Sequence, residues 1–197
     1  VQSTLLAGDY QVVVTDGNAC TDVLLISITE PAELELSETL HTDLLCFGNA
    51  IGTSIVTTTG GTPSVPAPDY TYAWTVITPG GGIVDATSEV QSTLLAGDYQ
   101  VVVTDGNGCT DLLLISITEP TDLTGAITSQ TDLDCNGSST GSVTVAAEVG
   151  TGTAPYLYST DGGVTTQMSG TFNNLSAGAI TVTIVDANGC IFDVPVT

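Results

Sequence analysis

The chain has 197 residues, of which 22 are Asp or Glu, one is His and none is Lys or Arg, so its formal net charge is −22. Nucleic-acid binding is excluded as a function class, because it depends on Lys and Arg side chains that neutralise phosphates. Attraction to an anionic membrane surface is disfavoured for the same reason. Hydrophobic residues make up 42% of the chain, too many for a disordered acidic segment.

The acidic surface leaves two interpretations open. Like charges keep copies of a protein soluble and apart, and carboxylates also attract hard cations such as Ca²⁺. No apolar run in the sequence reaches the roughly 18–20 residues that a membrane-spanning helix needs, so we expect no direct membrane insertion.

A long internal repeat decides the domain organisation. Residues Val1–Pro31 recur at Val90–Pro120, at an offset of 89 residues. A fixed period of this kind indicates an array of small domains. We predict three units: residues 1–30 are the C-terminal part of a first unit, residues 31–119 form a complete middle unit, and residues 120–197 form a shorter last unit, expected to be clipped in its last strand. The two copies of the repeated segment differ only at two positions, where Ala19 corresponds to Gly108 and Val23 corresponds to Leu112.

The predicted elements are β-strands throughout. In the first unit, two apolar runs flank the turn Asp16-Gly17-Asn18 and predict a hairpin. Short strands with frequent turn signals favour an all-β fold of tandem Ig-like β-sandwich repeats stacked head to tail. The Pro residues at the unit boundaries indicate stiff joints. In Ig-like lettering, the middle unit has strand A near Leu34–Leu45, B near Ile51–Thr59, C near Tyr70–Val76, a D/E region between Ile83 and Leu95, F at Tyr99–Thr104 and G at Leu112–Thr118.

Aromatic residues predict the core of the middle unit. Trp74 shares one face of strand C with Tyr70 and Tyr72, because alternate residues of a strand face the same side. Tyr99 follows an Ala-Gly-Asp sequence and is placed to form the tyrosine corner that opens strand F in such folds. The last unit has Ile180 at the corner position, so it lacks that hydrogen bond.

These motifs together resemble the SprB-type repeat of cell-surface adhesins in gliding bacteria. The resemblance covers essentially the whole chain, although the last unit lacks the Trp and the corner Tyr. It implies an extracellular Ig-like repeat of a long surface protein, exported by type IX secretion and serving adhesion, gliding or fibre formation, and it does not imply an enzyme. The residues that carry it are Cys46-Phe47-Gly48, Gly60-Gly61, Tyr70, Tyr72, Trp74, Ala96–Tyr99, Thr104–Thr110 and Pro120, with Cys135-Asn136-Gly137, Pro155–Tyr158, Ala177-Gly178 and Asp186–Cys190 in the last unit.

The five cysteines follow the repeat, with one near each A–B turn and one in each F–G turn. Within one sandwich these turns lie about 20–25 Å apart at opposite ends, whereas a disulfide needs Cα atoms about 4.4–6.8 Å apart. An inter-unit bridge Cys46–Cys190 is therefore predicted, with Cys20 and Cys109 bonding upstream units and Cys135 a downstream one. The intra-unit pairs Cys46–Cys109 and Cys135–Cys190, or free thiols, are the alternatives. Metal-binding Cys-x-x-Cys spacing is absent, which argues against zinc.

The F–G turns are also the candidate calcium sites. Asp105, Asn107 and Asp111 resemble the start of a calcium-binding loop, but Cys109 stands at its fifth position and the closing Glu is missing. The first unit repeats the pattern. A purely structural turn is the competing interpretation, and a site shared with a neighbour's A–B loop acids, Asp43 or Asp132, is a further one. The first unit's candidate ligands are Asp16, Asn18 and Asp22.

The predicted function is a structural and adhesive segment of an extracellular surface filament. Its expected partners are neighbouring repeats, other copies of the chain and surface glycans, and no cofactor is required apart from Ca²⁺ as a candidate. A catalytic triad on His41 is not expected, since the last unit has no copy of this residue. The alternatives are a glycan- or calcium-dependent ligand-binding module and the stalk of an exported hydrolase.

Overall fold

The computed structural model describes residues 4–78 and 85–197, and these residues form β-strands and loops without any helix. Consequently no helix in the described part could cross a membrane. The strands are β1 (Gly8–Thr15), β2 (Thr21–Ile28), β3 (Glu35–Thr42), β4 (Gly52–Thr59), β5 (Thr71–Val76), β6 (Val90–Leu94), β7 (Gly97–Thr104), β8 (Thr110–Ile117), β9 (Gly125–Thr131), β10 (Gly141–Ala147), β11 (Leu157–Ser159), β12 (Thr171–Leu175), β13 (Ile180–Val185) and β14 (Ile191–Val196).

The middle unit is a sandwich of two three-stranded antiparallel sheets. One sheet has the order β3-β4-β6 and the other β5-β7-β8. These correspond to strands A, B and E facing strands C, F and G, which is the Ig-like arrangement. The D/E region contributes the strand β6 among the described residues, and Ile83 lies outside them.

The core lies between the two sheets, as the alternation of side chains requires. In β7, Val101 and Val103 are fully buried, while Val102 between them faces outwards and is partly exposed. Tyr72 and Trp74 of β5 are also buried, and Tyr70 packs against the same cluster. The predicted side of strand C is therefore its core face.

Tyr99 forms the tyrosine corner. Its side chain is fully buried, and its hydroxyl donates a hydrogen bond of 2.8 Å to the carbonyl of Leu95. Because a buried hydroxyl needs a partner, this bond fixes the chain at the entry to β7.

The last unit repeats the same topology with a different core. Its sheets have the orders β9-β10-β12 and β11-β13-β14. Tyr158 pairs with Ile184 across the C and F strands, as Tyr72 pairs with Val103 in the middle unit. The β11 strand ends at Ser159, one residue before the position that corresponds to Trp74. The predicted unit boundaries at residues 31 and 120 remain predictions.

The first unit consists of the hairpin β1–β2, which pairs from Gly8 and Ile28 to its turn. Its sequence nearly repeats that of β7–β8, but its environment differs. Val14 of the hairpin is 63% exposed, whereas the equivalent Val103 is fully buried. The opposite sheet, which covers β7–β8 in the middle unit, is what makes the difference.

Candidate functional site: the junction between units

A disulfide joins the middle and last units. Cys46, in the loop between β3 and β4, is bonded to Cys190, immediately before β14, and the two Cα atoms are 5.6 Å apart. Cys20, Cys109 and Cys135 are free and exposed. The structure thus contains the inter-unit pair and neither of the intra-unit alternatives, Cys46–Cys109 and Cys135–Cys190. The physical reason is that the A–B loop and the F–G turn of one sandwich lie at opposite ends.

Hydrogen bonds accompany the disulfide on both sides of the junction. The side-chain amide of Asn188 donates to the carbonyl of Leu45, at 2.9 Å, and to the hydroxyl of Thr153, at 3.1 Å. The carboxylate of Glu119, in the connecting segment, accepts a hydrogen bond of 2.7 Å from the backbone amide of Gly48. The A–B loop is therefore held by the next unit and by the connector that leads to it.

The F–G turn owes its shape to one aspartate. In the last unit, Asp186 is buried, and its Oδ1 atom accepts hydrogen bonds of 2.9 Å from the amides of Asn188 and Cys190. Its Oδ2 atom accepts a further bond of 2.9 Å from the amide of Thr153, in the B–C loop. One carboxylate thus closes the turn, positions the cysteine and fastens the turn to its own sandwich.

Asp105 does the same in the middle unit. Its carboxylate accepts backbone hydrogen bonds from Thr62 at 2.8 Å, Cys109 at 2.8 Å and Asn107 at 2.9 Å. The amide of Thr62 and then those of Cys109 and Asn107 stabilise the ionised form, so the pKa of Asp105 lies below its ordinary value. The turn is consequently most stable when this carboxylate is charged.

The candidate calcium ligands Asn107 and Asp111 of the middle unit have hydrogen-bond partners of their own. The carboxylate of Asp111 accepts hydrogen bonds from the amides of Leu36, at 2.7 Å, and Leu112, at 2.8 Å. The side chain of Asn107 donates to Thr62. The carboxylates of Asp105 and Asp111 thus accept hydrogen bonds from different backbone amides.

The first unit has the same turn, and among the described residues no second sheet covers it. Asp16 accepts hydrogen bonds from the amides of Asn18 and Cys20, and Asp22 accepts one from Val23. In residues 4–78 and 85–197, no group of three or more His, Cys, Asp or Glu side chains is placed to hold a metal ion. Calcium binding by these turns stays a prediction.

The structure adds a network that sequence reasoning did not find. The ring of His41 contacts Glu38 Oε1 at 3.1 Å through Nδ1 and Asp43 Oδ1 at 3.0 Å through Nε2. Ser54 is fully buried and donates its hydroxyl to Glu38, and the amide of Thr118 donates to Asp43. Desolvation alone would lower the pKa of His41, but hydrogen bonds and charge from Asp43 and Glu38 outweigh it, so the pKa is raised.

The network connects strand A to the end of strand G, close to the connector that enters the last unit. The pKa of Asp43 is lowered, first by the hydrogen bond from the Thr118 amide and then by His41. The sequence signal was the pattern Glu38-x-x-His41-x-Asp43, in a chain whose only basic side chain is this histidine.

Comparison with known proteins supports the resemblance drawn from the motifs. The model of the SprB repeat family matches residues 127–165, within the last unit, and confirms the SprB-type character of this segment. No curated protein sequence matches the chain. Among solved structures, the ectodomain of human desmocollin-1 matches with a TM-score of 0.28 at 12% sequence identity, over 95% of this chain and 48% of the desmocollin chain. The chain thus spans about half the length of that ectodomain chain.

Proposed function

We propose that the chain is a structural and adhesive segment of an extracellular surface filament, in which Ig-like units are linked end to end. The observation that carries the proposal is the disulfide Cys46–Cys190, which crosses from one unit to the next. The predicted role is mechanical span and surface contact, not catalysis. The SprB repeat match supports a surface repeat of this class.

Two tethers restrain the junction. The polypeptide passes from Ile117 at the end of β8 to Gly125 at the start of β9, and the disulfide forms a second covalent link between the units. A single tether permits one unit to swivel about it, whereas two separate tethers remove most of that freedom. The hydrogen bond from Asn188 to Leu45 limits the remaining motion.

The charge of the chain fits a surface filament. With 22 acidic residues and no Lys or Arg, two copies repel each other along their sides. This repulsion protects the outer strands, whose unpaired edges would otherwise add strands from other chains. A covalent junction resists this same repulsion between consecutive units, which share the negative sign.

The disulfide Cys46–Cys190 also supports an extracellular location. Disulfides persist in oxidising environments such as the cell surface and are rare in the cytosol. A junction that depends on Cys46–Cys190 would open in a reducing compartment and would hold outside the cell.

Small-angle X-ray scattering of the full chain tests the proposal. We expect one narrow distribution of shapes for the natural protein and a broader one for the double variant Cys46→Ser, Cys190→Ser, because the second tether is gone. The matched control is Cys109→Ser, Cys135→Ser, which removes two free thiols and leaves the junction intact. Freely swivelling units in the natural protein, or identical scattering from all three proteins, would contradict the proposal.

A further inference from the structure

The free F–G turn of the middle unit has the geometry of the occupied one in the last unit. The backbone amide of Cys109 lies 2.8 Å from Asp105 Oδ1, and that of Cys190 lies 2.9 Å from Asp186 Oδ1. The glycines that precede the two cysteines have φ angles of +84° and +82°. Cys109 is thus presented as Cys190 is, although only Cys190 is bonded.

The asparagine of the turn is also positioned alike. Asn107 donates to Thr62 Oγ1 at 3.0 Å, as Asn188 donates to Thr153 Oγ1 at 3.1 Å. In the occupied junction Asn188 makes a second hydrogen bond, to the carbonyl of Leu45, the residue before the bonded cysteine. Among the described residues, Asn107 has the first bond and not the second.

The other half of a junction is exposed on the last unit. The loop Cys135-Asn136-Gly137 repeats the Cys46-Phe47-Gly48 arrangement, with left-handed glycines at φ +82° and +71°. The backbone bond that closes each loop is also shared: Ser138 N donates to Cys135 O at 3.1 Å, and Asn49 N to Cys46 O at 3.3 Å. Cys135 is free and exposed.

We propose that the turn bearing Asn107 and Cys109 is a docking site for the Cys-x-Gly A–B loop of another unit, of the kind that carries Cys135. In this site Asn107 selects the partner by donating to the carbonyl that precedes the incoming cysteine, and Cys109 then bonds to that cysteine. The inference rests on the proposed end-to-end function and names the partner of its junction surface. Its evidence is the occupied junction of the same chain.

The covalent step is a thiol–disulfide exchange. The Cys109 thiolate attacks the loop cysteine's sulfur in a mixed disulfide with a low-molecular-weight thiol, a new S–S bond forms, and the small thiol leaves as its thiolate. The Cys109 proton goes to solvent and the leaving thiolate takes one up, so no further oxidant is consumed in this step.

A peptide of residues 133–140 (LDCNGSST), carrying its cysteine as a 2-thiopyridyl mixed disulfide, is the probe. It is added to the full chain, and mass spectrometry follows the modification of each free cysteine. Each rate is divided by the rate with a small neutral thiopyridyl disulfide, which corrects for thiol exposure and pKa. We expect the highest ratio at Cys109. Cys20 serves as an internal comparison, because its turn has Asp16 but, among the described residues, no B–C loop threonine to hold Asn18.

Asn107→Ala should lower the peptide rate at Cys109 by about two- to tenfold, the factor that one neutral hydrogen bond supplies. Its rate with the small reagent should not change, which shows that the turn is intact. A matched peptide with Gly137→Ala should react more slowly, because alanine disfavours the left-handed conformation. Equal ratios at Cys109 and Cys135, or an unchanged peptide rate in Asn107→Ala, would overturn the inference. Neither outcome affects the scattering test, which depends on the Cys46–Cys190 junction alone.

Discussion

Asp111 and Asp43 each accept a hydrogen bond from a backbone amide 75 residues away in the sequence. The Asp111 bond fixes Leu36 in strand A. The Asp43 bond fixes Thr118 at the end of strand G. In most proteins such carboxylates can also form ion pairs with Lys and Arg, but this chain has neither residue. Charged acceptors for backbone amides form the stronger class of hydrogen bond, so acidic residues that look uniformly solvating in the sequence also connect distant strands.

The pKa of His41 reports directly on one such cluster, which His41 forms with Glu38 and Asp43. Its raised pKa means that the folded chain binds the proton more tightly than the unfolded chain does, so its contribution to stability is fully present below pH 6.5 and is lost as the pH rises through the folded pKa. NMR titration of this sole imidazole should therefore give a pKa above 6.5. Asp43→Asn and Glu38→Gln should each lower it. A midpoint at or below the ordinary value would contradict the network.

The tyrosine corner allows a matched comparison within one molecule. Tyr99→Phe leaves the Leu95 carbonyl without its partner in a buried site and should cost about 1 kcal/mol of unfolding free energy. Tyr10→Phe removes the same 2.8 Å bond, to the carbonyl of Leu6, in the exposed hairpin. Water can replace that hydroxyl, so its cost should be smaller. Urea unfolding followed by the fluorescence of Trp74 measures the first, and equal effects of both changes on that transition would contradict the argument.

At the scale of elements, Gly60, the residue after β4, lies close to the start of the middle unit. Gly60 has a φ of +72°, and a Cβ atom there would lie 1.8 Å from the carbonyl oxygen of Glu33. Gly48 has nearly the same φ, +71°, but open space around it. Gly48→Ala should therefore cost only the left-handed strain, about 1 kcal/mol, while Gly60→Ala must also move the backbone. Denaturation midpoints should fall further for Gly60→Ala, and similar midpoints would rule out the clash.

Most strands could be predicted because their signals are local. Apolar alternation and Asp-Gly-Asn turns located β3 to β5, β7 and β8 to within a few residues, and the aromatic side of β5 followed from the same alternation. The facing of the two sheets then followed from the Ig-like strand order. Strand length and the positions of the loops were likewise enough to predict the pair Cys46–Cys190.

The His41 network could not be predicted from alternation. In a regular strand, Glu38 and His41 lie on opposite faces because they are three residues apart. A register shift between Glu38 and Leu40 breaks that alternation and lets the ring of His41 reach Glu38. Nothing in the local sequence marks where this register shift occurs.

The contact between Asn188 and Leu45 was hidden for another reason. It joins residues 143 apart and depends on how two units are placed relative to each other. Asn188 was recognisable as a turn residue, since Asp-x-Asn-Gly is a turn sequence. Its second role, as a donor to the neighbouring unit, appears only when the disulfide has brought the two loops together.

For the whole molecule, the uncompensated charge predicts an unusual response to salt. Folding brings 22 acidic residues closer together, so their repulsion opposes the compact state. Added salt shortens the screening length to about 10 Å at 0.1 M. The melting temperature should therefore rise steadily with sodium chloride, as scanning calorimetry can measure. A flat or falling curve would mean that the unfolded chain is repelled as strongly as the folded one.

The same experiment separates calcium binding from screening. If the F–G turns bind Ca²⁺, then calcium should raise the melting temperature above the value in magnesium at equal ionic strength, because a ligand that binds only the folded state stabilises it, by about 2.7 kcal/mol at one hundred times its Kd. Mg²⁺ is a suitable control, since it has the same charge but demands a smaller, more regular oxygen shell. Asp111→Asn in the middle unit should reduce the difference between the two ions, whereas Asp98→Asn, at the start of β7 and not among the candidate ligands, should not. Identical melting curves in calcium and magnesium would leave the aspartates of these turns with a structural role alone.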